Sequence, residues 1–445
     1  MKKIIIPKNI LTVDEQRRIL YDYAVVIDGN RIINILPENE IEKENNVEIF
    51  RFPELSLIPG FVQTHVHLCQ TLFRGLAEDM ELLDWLQKKI FPYENAHDQN
   101  SLRASAQLGI YELQKSGTTT ILDMGTINHH EAIFDELIIS NMRAFSGKCM
   151  MDINSLYPKF IESTDDSLNM TYDLAKEFHN TNNDKIKYGF APRFVLSCSE
   201  HLLKETKSMM KDFYGSIYHT HSSENKNEIE AVRQMHNMEN IEYFDSINIL
   251  GDHTVLAHGV HVNEKEIGLL KNSMTRISHC PSSNLKLGSG IADIPKYLKE
   301  GICVSLGADG APCNNNLSQF AEMRLASLIQ KPRYSPTIMN AETVFRLATI
   351  EGARALNLQN EIGSIEIGKK ADLVLLDLEK PNQTLIDENI YATIIYSANR
   401  ENVKEVMIDG EWVLRNGSSL FFDEEELYKK GKLELNKLIK RTKFN

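Results

Sequence analysis

The sequence predicts a closed (β/α)8 TIM barrel with a small β-sandwich domain that both chain ends build together. Three observations point there. Between Pro59 and Gly310, eight apolar strand-like runs alternate with amphipathic stretches, several of which close on a glycine as helix C-termini often do. The alternation covers roughly 250 residues, the span such a barrel needs. Hairpin signatures, by contrast, recur near the two termini.

At the amino end, KKIIIPKNI, YAVVIDGNRIINI with a turn at Asp28-Gly29-Asn30, and VEIFRF read as short strands. Such hairpins bury little alone. ADLVLLDL (371–378) and VKEVMIDGEWVLRNG (403–417) repeat the idiom at the far end. Residues 1–57 and 365–420 are therefore expected to form one composite β-sandwich, with 58–364 inserted as the barrel and 421–445 as a helical tail. After the strand that begins PGFVQTHVH, the barrel strands fall within 117–125, 143–152, 186–195, 216–224, 254–261, 275–281 and 302–310. An open doubly wound sheet is the competing arrangement. No GxGxxG or GxxxxGK[ST] follows a strand, so nucleotide-type phosphate binding has little support.

At 445 residues and 42% hydrophobic content, the chain can bury a large core. Acidic residues outnumber basic ones 62 to 49, a net charge of −13, which argues against nucleic acid or an anionic membrane as partner. The one basic block, Lys440 to Lys443, reads as a solvated helix end. The six cysteines show no CxxC pair, which suits a reduced, cytoplasmic setting. MKKIII opens like a signal peptide but meets Pro7, and no run reaches membrane-spanning length. Self-association into a homo-oligomer stays open.

In an extended strand, side chains at i and i+2 share a face, so His65 and His67 can offer two nitrogens to one cation. In a barrel, the carboxyl ends of all strands share one mouth. Those ends carry His65 and His67, then His219, His221 and Glu224, then His258 and His261, then His279, and finally Asp309. Imidazoles with a carboxylate suit a divalent ion, zinc first, with iron or manganese as alternatives. Such an ion lowers the pKa of bound water to about 7 in the best zinc cases. Glu224, three residues past His221, is the candidate general acid/base. His219 reads as a packed or backbone-bonded residue of the barrel wall, His261 as lying past the mouth, and His129 and His130 as a solvated loop. Cys69 and Cys313 have no basic partner that would make either a nucleophile.

The ordered set PGFVQTHVHLCQTLFRGLAEDMELLDWL, HTHSSE, LAHGVH, SHCPSSNLKLGSGIA, GADGAPCNNNLSQFAEMRLASLIQK and GSIEIGKKADLVLLD resembles the amidohydrolase superfamily. The similarity is to the branch holding methylthioadenosine, S-adenosylhomocysteine and 5'-deoxyadenosine deaminases, guanine deaminase and the triazine hydrolases. It implies metal ligation by His65, His67, His221 and Asp309, with Glu224 as acid/base. It also implies that His258 and Asp309 assist metal-bound hydroxide as it attacks an amino-bearing ring carbon and ammonia leaves. Two-metal members bridge their ions with a fourth-strand lysine; APRFVLSC has none, so one ion is expected. For an aminopurine or nucleoside substrate, Glu94 matches a ribose-binding glutamate, Lys148 stands where an arginine can occur, and Trp85 would line the pocket. Gln70 and Arg193 match base-binding residues of guanine deaminase, and Arg193 suits a carbonyl acceptor. A 5'-deoxyadenosine-type substrate ranks first and guanine second. A triazine hydrolase or a non-catalytic binding protein follows.

Overall fold

Phe61–His67, Thr118–Met124, Arg143–Gly147, Ile186–Pro192, Ile217–Ser222, Thr254–His258, Arg276–His279 and Val304–Leu306 pair in that order, every neighbour parallel. Asp309–Gly310 then pairs with Val66 and His67, so the eighth strand closes the ring onto the first. This is the expected (β/α)8 barrel. The computed structural model describes residues 2–42, 46–381, 383 and 389–442; Lys443 of the basic block lies outside the described residues.

The eighth strand breaks between its two pairings, at Gly307 and Ala308. A Cβ on Gly307 would lie 2.7 Å from the His65 carbonyl oxygen, so glycine is what lets the two strands approach there. The third strand breaks too: Cys149–Met150 rejoins the fourth after Lys148.

Val62, Leu122, Phe145, Ile217 and Val255, one from each of five barrel strands, cluster fully buried with Leu356 and Ile362. Each large side chain buried this way contributes about 1.5–3 kcal/mol. Polar strand-end residues thus stand on a rigid apolar floor.

Among the described residues, the chain ends share one nine-stranded sheet. Lys2–Leu11 runs parallel to Val47–Pro59, and Leu373–Asp377 runs antiparallel to that same strand, which joins the amino-terminal strands to the carboxyl-terminal ones. Val47–Pro59 is much longer than VEIFRF alone suggests, and runs almost directly into the first barrel strand.

The tail forms a helix, Glu424–Arg441, with glutamates in its first turn and Lys440 and Arg441 in its last, each favoured by the helix dipole. It packs on Gln99–Lys115, and Arg441 pairs with Asp98 at 2.9 Å. No helix of the described residues is long and apolar enough to cross a membrane.

Candidate active site

His65, His67, His221 and Asp309 offer ligand atoms that all lie within 4.8 Å of one another. The tautomers follow from what surrounds the rings. His67 Nδ1 lies 2.9 Å from the Met124 carbonyl oxygen, and His221 Nδ1 lies 2.7 Å from that of Arg193. A carbonyl only accepts, so each ring carries its proton on Nδ1 and presents a bare Nε2. Those two Nε2 atoms face each other at 3.3 Å. Two lone pairs so placed repel unless a positive charge lies between them. Asp309 Oδ1 stands 3.2 Å from His65 Nε2 and 3.3 Å from His67 Nε2. His65 Nε2 is buried and has no hydrogen-bond partner among the described residues. Three imidazole nitrogens and a carboxylate oxygen converging in this way fit a borderline divalent ion.

Burial would raise the Asp309 carboxyl, but the rings of His65, His67 and His258 outweigh it and hold that carboxyl well below its usual range. Ser283 Oγ donates to its Oδ2 at 2.6 Å. Burial pushes His65 down to about 4 and holds His221 well below its ordinary value. Both imidazoles therefore stay neutral, the form that ligates.

Glu224 shows the opposite displacement: burial first, then the charges of Asp309 and Glu228, push its carboxyl well above the normal range. A carboxyl whose proton is held more tightly than in water is suited to acid/base work. Its Oε2 lies 3.4 Å from His258 Nε2, and its backbone N–H donates to Glu228 at 2.8 Å. His258 Nδ1 lies 2.9 Å from Asn284 Oδ1, which leaves Nε2 bare toward the site. His258 and Asp309 both sit in the left-handed region, at φ 76° and 62°. Such strain costs about 1–3 kcal/mol per residue and persists where surrounding bonds over-determine it.

A narrow cavity opens on this cluster. Leu82, Trp85, Leu86, Phe194 and Leu287 give it apolar walls, and Gln70 and Arg193 line it as polar groups. Trp85 enters the wall where Leu82–Trp85 runs into a π-helical turn, Leu86–Ile90, a form frequent at functional sites. Glu94, two turns on, is tied at both oxygens: Gln70 Nε2 donates at 2.7 Å, and Arg193 donates at 2.7 and 3.3 Å. Lys148 does not line the cavity. Its ammonium is fully buried against Glu162 and the Cys149 carbonyl.

His219 is fully buried as expected of a packed wall residue, but its partner is a side chain and not the backbone: its Nε2 lies 2.8 Å from His65 Nδ1. His130 departs from expectation, being buried beside Ser146 Oγ at 3.1 Å, whereas His129 is exposed as a loop residue should be. His261 lies past the mouth, its Nε2 on the Ser289 carbonyl at 2.7 Å. The supporting roles of Ser283, Asn284 and Glu228 were not read from sequence. The SHCPSSN segment carries Ser283 and Asn284, whereas no motif marks Glu228; His279 in that segment has ring nitrogens that meet no partner among the described residues.

Comparison with known proteins agrees with this geometry. A 5'-deoxyadenosine deaminase of Methanobrevibacter smithii is 36% identical over 421 residues, 94% of each chain. A 5-methylthioadenosine/S-adenosylhomocysteine deaminase of Thermodesulfovibrio yellowstonii is 34% identical over 434 residues, 96% of each. Among solved structures, a zinc-bound adenosine deaminase from Xanthomonas campestris superposes with a TM-score of 0.92 at 26% identity, covering 98% of both chains. The model of the amidohydrolase family matches residues 56–413, and with the relatives above it establishes that this chain belongs to that family, whose members depend on metal.

Proposed function

We propose that this chain is a hydrolytic deaminase of an aminopurine of the 5'-deoxyadenosine, methylthioadenosine or S-adenosylhomocysteine type, working with one divalent ion, zinc first. The observation that carries the reading is the pair of bare Nε2 atoms of His67 and His221 at 3.3 Å, beside Asp309 and a buried Glu224 whose carboxyl is held above its usual range. The names of the relatives supply the substrate class.

In this reading His65, His67, His221 and Asp309 hold the ion. When bound, it supplies Lewis acidity that makes water a nucleophile near neutral pH. Glu224 would pass its proton to the ring nitrogen beside the amino-bearing carbon, regain one from the attacking water, deliver it to the amino group so that this leaves as ammonia, and be reprotonated by the new hydroxyl as it becomes the carbonyl. His258, oriented by Asn284, accepts a hydrogen bond from the attacking water. Leu82, Trp85 and Leu86 exclude solvent from the face of a planar base. The barrel carries the chemistry, the terminal sheet supports it, and the helix Glu424–Arg441 braces it. Six unpaired cysteines favour the cytoplasm as its place of work.

A second reading, guanine deaminase, is favoured by one feature. Gln70 and Arg193 line the cavity while both Glu94 oxygens are already engaged, which leaves that carboxylate less free to receive ribose hydroxyls. Ammonia release measured over 5'-deoxyadenosine, methylthioadenosine, S-adenosylhomocysteine, guanine, cytosine and aminotriazines decides between the two. Turnover confined to the adenosine derivatives supports the first reading, and turnover of guanine alone supports the second. No ammonia from any of them, together with tight nucleoside binding, would leave a binding protein.

A further inference from the structure

We infer that His219 is a positioning residue whose tautomer fixes His65 as a ligand. The inference rests on the metal reading above but not on which purine is the substrate. His67 and His221 hand their Nδ1 protons to backbone carbonyls, which no side-chain change removes. His65 has no such carbonyl. Its Nδ1 meets the Nε2 of His219 at 2.8 Å, with the rings at 84° and both side chains fully buried.

The protons can then be assigned in order. For His65 to present a lone pair at Nε2, beside Asp309, its proton must sit on Nδ1 and be donated to an acceptor. The acceptor is His219 Nε2, which must be bare, so the proton of His219 sits on its own Nδ1. That atom has no partner among the described residues. A buried N–H without a partner costs about 1–3 kcal/mol. The fold tolerates this on His219 and leaves the correct proton on His65. The reversed arrangement, with His219 donating from Nε2, would put a proton on His65 Nε2 and turn that ring from ligand into donor. Among the three histidines, His65 is thus the one whose ligating form depends on another side chain, and that side chain comes from the strand that also carries His221.

The test is metal affinity, measured by competition with a chelating dye on metal-stripped protein. His219→Phe removes the acceptor and is expected to weaken zinc 10- to 100-fold, the usual size of such outer-shell effects. His219→Gln can keep an oxygen near the lost Nε2 and should stay within about threefold of wild type. A Phe variant with unchanged affinity overturns the inference, and so does an equal loss in both variants, which would indicate packing alone. Should a variant fail to fold, nitrogen-15 histidine NMR of the zinc-loaded wild type decides. His219 protonated at Nδ1 and bare at Nε2 supports the assignment, and the opposite tautomer sinks it. A wild type that binds no ion at all would instead bring down the metal reading itself, which separates the two failures.

Discussion

Two buried charge clusters, one at each end of the barrel, are built on opposite principles. At the seam with the terminal sheet, Arg143, which opens the third strand, donates to both oxygens of Asp372 at 2.7 and 3.0 Å and to Asp409 at 3.0 Å. The Asp409 N–H closes the loop onto Asp372 at 2.7 Å, and Lys370 stands 3.4 Å from Asp409. At the mouth, Asp309 is just as buried, but the Nε2 atoms of His65 and His258 meet no hydrogen-bond partner among the described residues. A satisfied network holds two parts of a protein together; an unsatisfied one in a cavity is poised for a ligand. Charge burial alone does not separate cohesion from chemistry, but the tally of unmet atoms does.

The sharpest way to break the comparison is Glu224→Gln. It keeps the size and hydrogen bonds of the side chain but removes its proton traffic, so ammonia release should fall about 10²- to 10⁴-fold. The urea midpoint should hold or rise, because a buried carboxyl with a raised pKa has been neutralised. A variant that keeps its activity, or that loses activity only by unfolding, would erase the distinction between mouth and seam.

The converse change is Arg143→Met. Removing one partner of a buried ion pair typically costs about 3–5 kcal/mol, since the carboxylates of Asp372 and Asp409 would be left uncompensated. The urea midpoint should drop by the corresponding amount, while turnover per folded molecule stays close to wild type. Stability equal to wild type would mean that the seam network contributes nothing to cohesion.

Metal removal ranks next. Stripping the ion with a chelator should abolish turnover and lower the melting temperature, and restoring it at a hundredfold excess over Kd should return about 2.7 kcal/mol. Arg143→Met should show the same gain on reloading, because its lesion lies at the other end of the strands. A gain that vanishes in this variant would couple the two ends.

This contrast also marks what could be read from sequence. His65 and His67 announce themselves because strand alternation is local: i and i+2 share a face whatever the rest of the chain does. The eight barrel runs were legible for the same reason. The Arg143–Asp372 pair was not, because 229 residues separate the partners and neither lies in a distinctive pattern. His219 was visible as a residue, but its role depends on the first strand lying across the barrel from the fifth, which no local pattern encodes. Lys148 was placed by its match to an arginine. The break in the third strand beside it, and the nearness of Glu162, turn its ammonium away from the cavity.

The smallest expected effect, and the finest probe of the comparison, is how each end responds to pH. Burial would raise the Asp409 carboxyl, but Arg143 and Lys370 outweigh it and hold it below its ordinary value. A carboxyl whose folded pKa is depressed contributes stability that is present above its unfolded value, about 3.9, and lost as pH falls through the folded one. Glu224 has the reverse sign. Its folded pKa lies above the unfolded value of about 4.3, so its contribution is full below that value and is lost as pH rises through the folded pKa. In metal-stripped protein, the gap in urea midpoint between Glu224→Gln and wild type should therefore widen in favour of the variant as pH rises above the unfolded value toward the folded one. In Arg143→Met, by contrast, the acid-side loss should shrink relative to wild type, because Asp409 would keep its burial, lose its main counter-charge and so lose the depression on which that loss depends. A gap for Glu224→Gln that stays flat with pH would mean the carboxyl ionises as freely as one in water, and would remove the ground for treating it as the proton carrier of the mouth.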